Sequence, residues 1–307
     1  MKINIFQAGL LAALLLLPAC KKDESTTTKP SLSGLSIDTS IPYVRVGDVL
    51  SFTADVNSIT AADADTQPET IGLAWQVNSA SRDTLTRDIR TSNPVFEYTV
   101  KEEGSYTVVC YAFAGDDYYA TSASTTFQAI NPITAMEGMD LQLGTLDLQG
   151  RLWTNWNVYE SESGRNYEDC EVVASLFGRY YSWEQAQHIC PAGWHLPSAQ
   201  EFDEGLGTDA GALMADASFL EKKMWAYWPE VQITNSLHFN AIPVGYIDAA
   251  GADAAKNTLG EYALWWTSSE EDGLGEYRYI VERNPLVQKG LGSKHSLYLN
   301  VRCVQDN

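Results

Sequence analysis

Basic side chains are scarce in this sequence. Lysine and arginine together number 20 against 40 aspartates and glutamates, and the 307-residue chain carries a formal net charge of −20. A surface of this sign repels the phosphates of nucleic acid and the head groups of anionic lipids. The charge balance therefore excludes nucleic acid from the expected partners.

The common catalytic motifs are also missing. The sequence has no Gly-x-Ser-x-Gly elbow, no phosphate-binding glycine loop followed by lysine, and no His-Glu-x-x-His pair. Its 4 histidines are scattered, and the spacing of His188, Cys190 and His195 matches no common zinc pattern. We therefore expect no enzyme, no catalytic residue and no metal site, with the histidines acting as surface or capping groups.

No apolar run is long enough to span a bilayer. The main one is centred on residues 10–17, follows Lys2 and leads into Leu17-Pro18-Ala19-Cys20, as in a signal peptide. Because it ends at a cysteine, it resembles the lipobox of bacterial lipoproteins. The resemblance implies a signal peptide over residues 1–19 and a lipid on Cys20. An ordinary cleaved signal peptide with an incidental cysteine is the alternative.

Residues 21–34 have almost no apolar surface to bury. We therefore expect residues 20–34 to comprise the lipidated cysteine and a flexible tether. The tether begins with Lys21-Lys22-Asp23-Glu24, which resembles the charged tag that sends lipoproteins of the Bacteroidetes to the outer face of the outer membrane. This implies a protein attached by its lipid to the cell outer membrane and exposed at the surface.

Cysteine is rare elsewhere. An exported protein folds in an oxidising compartment, where cysteines form disulfides. The four that remain allow three pairings, and the sequence leaves the choice open; they are Cys110, Cys170, Cys190 and Cys303.

Residues 35–131 alternate apolar and polar side chains, and turn residues separate the alternating stretches. Several short strands without a helical stretch predict an all-β antiparallel sandwich. With Arg45-Val46-Gly47-Asp48, Trp75 and Gly104-Ser105-Tyr106-Thr107-Val108 in these places, the segment resembles the polycystic-kidney-disease (PKD) type of immunoglobulin-like domain. Cys110 has no cysteine in the earlier strands to pair with, so we expect a buried free thiol. The predicted inward-facing sets are Leu50, Phe52, Ala54 and Val56; Ile71, Leu73, Trp75 and Val77; Phe96, Tyr98 and Val100; and Tyr106, Val108, Cys110 and Ala112.

Asn131-Pro132 interrupts the alternation, so residues 132–140 are interpreted as a linker and residues 141–307 as a second domain. A hairpin is expected near its start, with Gly144-Thr145 at the turn. Beyond Pro229 the pattern indicates strands and loops. Helices followed by strands predict an α+β domain.

Two capping boxes, Ser182 with Gln185 and Ser198 with Glu201, predict two helices in this domain. A rigid break, Cys190-Pro191-Ala192-Gly193-Trp194, separates them. Helical spacing puts Trp183, Ala186, Gln187 and Cys190 on one face of the first helix, and Gly205 and Gly207 end the second. A further helix or helical turn is predicted over residues 212–228, ending at Pro229.

Five sequence blocks occur in an order that resembles the Fibrobacter succinogenes major paralogous domain. The resemblance implies a variant of the C-type lectin-like fold in a secreted or lipid-anchored surface protein. By analogy with that fold it also implies a disulfide between Cys190 and Cys303. Cys170 is then free or paired with Cys110 of the other domain, and the domain boundary favours a free thiol. The blocks are Gly178-Arg179-Tyr180-Tyr181-Ser182-Trp183, Cys190-Pro191-Ala192-Gly193-Trp194-His195-Leu196-Pro197-Ser198, Phe239-Asn240-Ala241-Ile242-Pro243-Val244-Gly245-Tyr246, Trp265-Trp266-Thr267-Ser268-Ser269-Glu270 and Val301-Arg302-Cys303-Val304.

The candidate ligand-binding residues lie near one predicted strand and its loop. Trp265 and Trp266 are adjacent in the strand and point to opposite faces, so one is expected in the core and the other in contact with a ligand. Glu270, Asp272 and Arg278 complete the set.

No cofactor is expected, apart from calcium as a weaker alternative. Carboxylate oxygens suit this ion, and the acidic stretches Glu270-Glu271-Asp272-Gly273 and Asp63-Ala64-Asp65 supply them. Solvated acidic loops are the simpler interpretation of both stretches.

Three functions are compatible with these patterns. The leading hypothesis is a non-catalytic surface lipoprotein that binds a glycan or a protein partner in adhesion. The second is an enzyme, or an enzyme accessory, that acts on polysaccharide with Glu270 and a nearby carboxylate as the acid and base. The third is a structural protein of the cell envelope.

Overall fold

The computed structural model describes a chain of strands and short helices. The predicted signal peptide, Cys20, the Asp63-Ala64-Asp65 stretch and most of the predicted linker lie outside the described residues. Within them, no helix is long and apolar enough to cross a membrane. The described residues are 32–38, 42–57, 59–61, 71–79, 82–91, 93–114, 117–131, 136–138, 144–159, 163–249 and 258–306.

The N-terminal unit, residues 32–130, is built from strands. Among its described residues, five strands in the order β3-β10-β9-β6-β7 form one sheet, and β2-β4-β8 form a second; β1 pairs with β5. Its strands are β1 (Leu32–Ser33), β2 (Ser36–Asp38), β3 (Tyr43–Arg45), β4 (Val49–Asp55), β5 (Thr60–Ala61), β6 (Ile71–Ser79), β7 (Arg82–Thr91), β8 (Val95–Thr99), β9 (Gly104–Ala114) and β10 (Asp117–Ile130).

The two sheets enclose one apolar core, as the alternation predicts. In β4, Leu50, Phe52 and Ala54 are buried and their neighbours are exposed. Trp75 of β6 is fully buried and stacks on Phe96 of β8, with ring centroids 5.3 Å apart. This contact joins the sheets, so the prediction of an all-β immunoglobulin-like sandwich is confirmed.

Two local expectations for the N-terminal unit have different outcomes. Cys110 is a buried free thiol, as predicted, and burial raises its pKa to about 12, so the thiol stays protonated. Leu32–Ser33, which the sequence assigns to the tether, instead form β1 against Thr60–Ala61. Backbone pairing therefore extends the ordered structure into the predicted tether.

The C-terminal unit, residues 136–306, combines short strands with short helices. It has two 3₁₀ turns (Tyr167–Asp169 and Glu171–Val173) and the helices α1 (Ala174–Phe177), α2 (Trp183–Ala186), α3 (Ala199–Leu206) and α4 (Ala210–Leu213). In the described residues as a whole, strands are more abundant than helices. The assignment of the C-terminal unit to the α+β class therefore stays a prediction. The strands are β11 (Met136–Glu137), β12 (Thr145–Leu148), β13 (Arg151–Thr154), β14 (Tyr181–Ser182), β15 (Trp194–His195), β16 (Ser218–Phe219), β17 (Lys222–Lys223), β18 (Tyr262–Glu271), β19 (Leu274–Val281), β20 (Gln288–Gly292), β21 (Tyr298–Leu299) and β22 (Val304–Gln305).

The strands of the C-terminal unit form several small sheets. Within the described part of the chain their orders are β18-β19-β20, β12-β13-β22-β15, β11-β16-β17 and β14-β21. Strand β18 is central to this unit, because its two faces contribute to two different apolar clusters. Trp265 lies in one cluster with Phe202 and Phe239, and Trp266 lies in the other with Tyr181.

Both predicted capping boxes are present. The Ser182 hydroxyl accepts from the Gln185 backbone N–H, and the Ser198 hydroxyl accepts from that of Glu201. Helix α2, however, ends at Ala186, so the predicted helical face that reaches Cys190 is wrong. Helix α3 continues through Gly205 and ends at Leu206, and the Gly207 that follows has a positive φ of 69°, which favours glycine.

Of the two alternatives predicted over residues 212–228, the long helix is wrong and only a helical turn is present at its start. Only Ala210–Leu213 are helical there, and β16 and β17 follow as a hairpin. Leu220 and Glu221 form its two-residue turn, with φ of 49° and 65°. The apolar side chains on which the helix prediction depended are mostly buried. They lie on an irregular segment of the chain and not on one face of a helix.

The first hairpin of the C-terminal unit also lies elsewhere. Gly144-Thr145 was the predicted turn, but Thr145 begins β12, which pairs with β13. The turn is Gln149-Gly150, with φ of 56° and 82°. Both values are positive, as the favoured two-residue hairpin turn requires.

The predicted disulfide is confirmed. Cys190 and Cys303 are bonded, with Cα atoms 5.8 Å apart. Cys170 is a buried free thiol, and its Sγ donates to the Tyr43 carbonyl of β3 at 3.3 Å. The disulfide therefore joins the segment after α2 to the residue that precedes β22. Cys170 contributes to the contact between the N-terminal and C-terminal units.

Candidate functional site

The predicted tryptophan pair is buried on both faces of β18. Trp265 is 1% exposed and Trp266 is 0% exposed. The Trp265 Nε1 donates to Asn157 Oδ1 at 2.9 Å, and the Trp266 Nε1 donates to the Tyr181 carbonyl at 2.8 Å. The prediction that one ring is exposed for contact is therefore wrong, because β18 is covered on both sides.

Arg278 is also part of the interior. Its guanidinium donates two parallel bonds to Asp203 of α3, each at 2.7 Å, and a third to Glu276 at 2.6 Å. The residue is 6% exposed, and the hydrogen bonds that it donates to Asp203 raise its pKa. Arg278 joins α3 to β19, so its predicted role as a ligand contact is wrong.

Glu270 and Asp272 lie on an exposed hairpin. Asp272 and Gly273 form the two-residue turn between β18 and β19, with φ of 50° and 80°. Glu270 is ion-paired with Lys294, and Glu271 with Lys289 at 2.7 Å. The described residues hold no group of three or more His, Cys, Asp or Glu arranged to bind a metal. Calcium at this hairpin stays a prediction.

A cavity of about 680 Å³ lies at a different place, and we call it the Tyr227 cavity. Tyr227 is 85% exposed at its border, so its ring is open to solvent. The residues that line the cavity are Asp216, Lys223, Met224, Trp225, Ala226, Tyr227, Val231, Gln232, Ile233, Leu259, Gly260, Glu261 and Glu282.

Buried anchors hold the aromatic side of the cavity. The indole of Trp225 is 3% exposed, and its Nε1 donates to the Ala241 carbonyl at 3.0 Å. The Val231 N–H donates to the Trp228 carbonyl at 3.0 Å, which closes a turn with Pro229 at its second position. Tyr227 lies between the anchored Trp225 and this turn, so its backbone is fixed while its ring stays in solvent.

The acidic side of the cavity is formed where β18 begins and β19 has ended. Tyr262 pairs with Val281, and just beyond this pair the Glu282 N–H donates to the Glu261 carbonyl at 3.0 Å. Glu261 is exposed, whereas Glu282 is buried. The hairpin therefore brings two carboxylates from distant positions in the sequence to one border of the cavity.

Basic groups compensate part of this negative charge. Lys223 is ion-paired with Asp216 across the exposed side of the cavity. Arg283 donates its Nε to Glu282 at 3.1 Å, and its guanidinium lies 4.6 Å from the ring centroid of Trp228. The cavity thus presents one open aromatic ring and several hydrogen-bonding side chains of both signs.

The sequence contained a signal for this site that the helix prediction obscured. Trp225, Tyr227 and Trp228 lie within four positions before Pro229, a residue that favours turns. An assumed helix over this segment distributes the three rings around its circumference. The anchor two residues before Tyr227, the indole of Trp225, depends on the Ala241 carbonyl, which is remote in sequence.

The family model of the Fibrobacter succinogenes major domain matches residues 122–305. The match begins within β10 and includes all of the described C-terminal unit up to Gln305. It contains both capping boxes, the disulfide and the Tyr227 cavity. No curated protein is similar enough in sequence to count as a match.

Three solved structures show only distant similarity. A CARDB domain from Pyrococcus furiosus has 12% identity and a TM-score of 0.23, covering 33% of this chain and 96% of the other. A second structure of that domain, in complex with di-metal ions, has 13% identity and a TM-score of 0.24, covering 34% and 90%. A quinonprotein alcohol dehydrogenase-like protein from Bacteroides thetaiotaomicron has 13% identity and a TM-score of 0.22, covering 84% and 48%. TM-scores this low establish neither fold nor function.

Proposed function

This chain belongs to the Fibrobacter succinogenes major domain family, and we propose that it is a surface lipoprotein that binds a glycan without cleaving it. The observation that carries the proposal is the Tyr227 cavity, where an exposed ring borders a concave surface lined with carboxylates and amides. The proposal retains the non-catalytic binding or adhesion role expected from the sequence and selects a glycan over a protein as the partner.

The chemistry of the cavity favours sugars. Aromatic rings pack against the apolar faces of pyranose rings, and Tyr227 is open for such a contact. Glu261 and Gln232 line the same cavity and supply acceptors and donors for sugar hydroxyls. Its volume of about 680 Å³ is within the range that small-molecule sites occupy.

The remaining parts of the proposal concern placement. The lipobox-like sequence ending at Cys20 and the charged residues after it support a lipid anchor in the outer membrane, with the protein exposed outside. We propose that the N-terminal unit is a PKD-like spacer and the C-terminal unit a C-type lectin-like domain. In this arrangement the sandwich separates the binding domain from the membrane surface.

A glycan array with the mature chain in detergent tests the binding role. We expect binding to at least one neutral or acidic polysaccharide fragment. Tyr227→Ala should weaken that binding by about tenfold, since a stacking contact on one aromatic ring contributes about 0.5 to 1.5 kcal/mol and about 1.4 kcal/mol corresponds to tenfold. Tyr227→Phe, which keeps the ring, should stay close to wild type. Leu286→Ala, at an exposed apolar residue outside the cavity, is the matched surface control.

The polysaccharide-acting enzyme is the second candidate, because Asp216, Glu261 and Glu282 share the cavity. Its originally predicted acid, Glu270, is instead paired with Lys294 on the hairpin. If the protein releases reducing ends from a bound glycan and Glu282→Gln abolishes this release, the protein is a hydrolase and the non-catalytic binding role is wrong. Absence of any glycan ligand would favour the structural envelope protein.

The anchor is tested separately from the cavity. Cys20→Ala should abolish incorporation of radiolabelled palmitate and release the protein from the membrane fraction. Protease treatment of intact cells should degrade the wild-type protein. A wild-type protein that survives such treatment would contradict surface exposure without bearing on glycan binding.

A further inference from the structure

A second concave site lies where the two units meet. This cleft, which we call the junction cleft, has a volume of about 400 Å³. Ligand sites occur preferentially between domains, because two surfaces can present groups to one molecule. The junction cleft is lined by Pro42, Tyr43, Ser105, Tyr106, Thr107, Thr126, Phe127, Gln128, Tyr167 and Glu168.

Strand register gives the cleft a polar floor. Thr107 of β9 pairs with Thr126 of β10, and Ser105 pairs with Gln128. Paired residues share one face of a sheet, and here it is the outer face, because the intervening Tyr106 and Phe127 are buried in the sandwich. The Ser105 hydroxyl donates to Gln128 Oε1 at 2.6 Å. Three hydroxyls and one amide therefore lie side by side.

Aromatic residues form the wall of the cleft. Tyr43 of β3 pairs with Gln128 in parallel register, and its ring lies 6.5 Å from that of Tyr167 in the C-terminal unit. Burial, followed by the charge of Glu168, raises the pKa of Tyr43 to about 12 and also raises the pKa of Tyr167. Both phenols are thus hydrogen-bond donors at neutral pH, and the Glu168 carboxylate lies close enough to act on both.

The backbone of the wall has an unusual conformation. Glu168 and Asp169 have φ of 50° and 54°, values that cost free energy for residues other than glycine. This conformation belongs to the first 3₁₀ turn of the C-terminal unit, which faces β3. The strained turn places Glu168 at the border of the cleft.

We propose that the junction cleft binds a neutral oligosaccharide of about two sugar rings. Sugar hydroxyls find both donors and acceptors in Thr107, Thr126 and Gln128, and the half-buried ring of Tyr43 offers an apolar surface. The lining residues include one carboxylate and neither lysine nor arginine, so an acidic sugar finds no counter-charge. This site is distinct from the Tyr227 cavity, and the proposal does not require that cavity to bind.

The test measures binding of cellobiose, mannobiose, lactose, N,N′-diacetylchitobiose and digalacturonate to the mature chain by saturation-transfer NMR and calorimetry. We expect one of the four neutral disaccharides to bind and digalacturonate to be excluded. Thr126→Trp fills the cleft and should weaken binding by about tenfold or more. Ser124→Trp places the same ring on the same face of β10 but outside the cleft, and should leave binding unchanged.

Other variants assign any observed binding to one site. Binding of the same disaccharide is also measured with Tyr227→Ala: loss in this variant and not in Thr126→Trp would place the ligand in the Tyr227 cavity and overturn the proposal. Failure of all four neutral disaccharides, or equal binding of digalacturonate, would also overturn it. Thr107→Gln provides a smaller obstruction if thermal unfolding shows that Thr126→Trp disturbs the sandwich.

Discussion

Glu201 has several hydrogen-bond and ion-pair partners besides its role in the capping box. It accepts from the Ser198 backbone N–H at 2.9 Å and from the Ser198 hydroxyl at 2.8 Å, and it is paired with Arg151 and His195. Burial raises its pKa, but these hydrogen bonds outweigh burial and lower the pKa to about 2. A capping residue recognisable in the sequence therefore has a second role that the sequence did not predict.

Glu201→Gln tests that second role, since glutamine preserves the capping box and removes the charge. The folded-state pKa lies below the ordinary value, so the carboxylate stabilises the fold above about pH 4.5, and this stability is lost as the pH falls through about 2. We expect a loss of about 1 to 2 kcal/mol at pH 7 that disappears near pH 2.

Urea unfolding of wild type and variant across this pH range gives the measurement. Glu204→Gln, an exposed position on the same helix, is the control. Equal pH dependence of the wild type and Glu201→Gln would contradict the assignment of the stabilising charge to Glu201.

Asn157 is the centre of a buried polar network. Its Oδ1 accepts from Trp265 Nε1 at 2.9 Å and from Arg302 Nε at 2.8 Å, and its Nδ2 donates to the Phe177 carbonyl at 3.0 Å. Arg302 is 1% exposed and bonds only to neutral oxygens among the described residues. Burial lowers the pKa of Arg302 to about 9.

Asn157→Leu keeps the approximate volume but removes the shared acceptor. Trp265 and Arg302 would both lose a hydrogen bond inside the protein, and each buried donor left unpaired costs about 1 to 3 kcal/mol. We expect the free energy of unfolding to fall by about 3 kcal/mol, measured by chemical denaturation. A loss below about 1 kcal/mol would show that water enters and replaces Asn157.

At the scale of elements, two-residue turns decide the hairpins of the C-terminal unit. Gln149-Gly150, Leu220-Glu221 and Asp272-Gly273 all have positive φ at both positions. Two of the three end in glycine, the residue best suited to such turns, and only Asp272-Gly273 has a composition from which the turn is readily predicted. Leu220-Glu221 lacks any such signal, which explains why the helix predicted there is wrong.

The Cys190–Cys303 bond links two elements that no other covalent constraint brings together. It closes a loop over a separation of 113 residues. In the chain-entropy model such a closure stabilises the fold by about 4 to 5 kcal/mol. Reduction with dithiothreitol should therefore lower the free energy of unfolding by about this amount. The loss is measured as a lower midpoint of urea unfolding.

Variants of the other cysteines separate this bond from the free thiols. A chain carrying Cys110→Ala and Cys170→Ala should remain sensitive to the reductant, whereas one carrying Cys190→Ala and Cys303→Ala should be insensitive and less stable. Non-reducing peptide mapping should recover the peptide that joins Cys190 and Cys303. Its absence would rule out the bond.

At the scale of the whole molecule, the two units are in direct contact. The Tyr43 ring lies 6.5 Å from Tyr167 and 5.9 Å from Phe219, and Ile130 at the end of β10 is part of an apolar cluster of the C-terminal unit. The predicted division into domains at residues 132–140 stays a prediction. The contacts just described lie outside that segment, so the two units are joined by more than the chain between them.

Tyr43→Ala should uncouple the units. The wild-type chain is expected to unfold in one calorimetric transition, because the junction transmits unfolding from one core to the other. Removing the ring should cost about 2 to 3 kcal/mol and separate the transition into two. Tyr43→Phe keeps the ring and should retain a single transition. Two transitions in the wild type would show that the contact does not couple the cores.

The sequence by itself determined the local features of this protein. Alternation gave the sandwich strands, because a strand with one buried face repeats every second residue. A serine hydroxyl followed three residues later by glutamine or glutamate indicated the starts of α2 and α3, because the capping box involves only residues three apart. The family resemblance added the disulfide. These features depend on neighbours in the chain or on whole-domain similarity.

Only the tertiary structure decided which surfaces are open. Trp265 and Trp266 point to opposite faces of β18, as alternation requires, but packing from distant segments covers both faces and removes the predicted contact residue. The Tyr227 cavity and the junction cleft are likewise formed by residues far apart in sequence. Burial is a property of all the chain that surrounds a side chain, so no local pattern could have located either site.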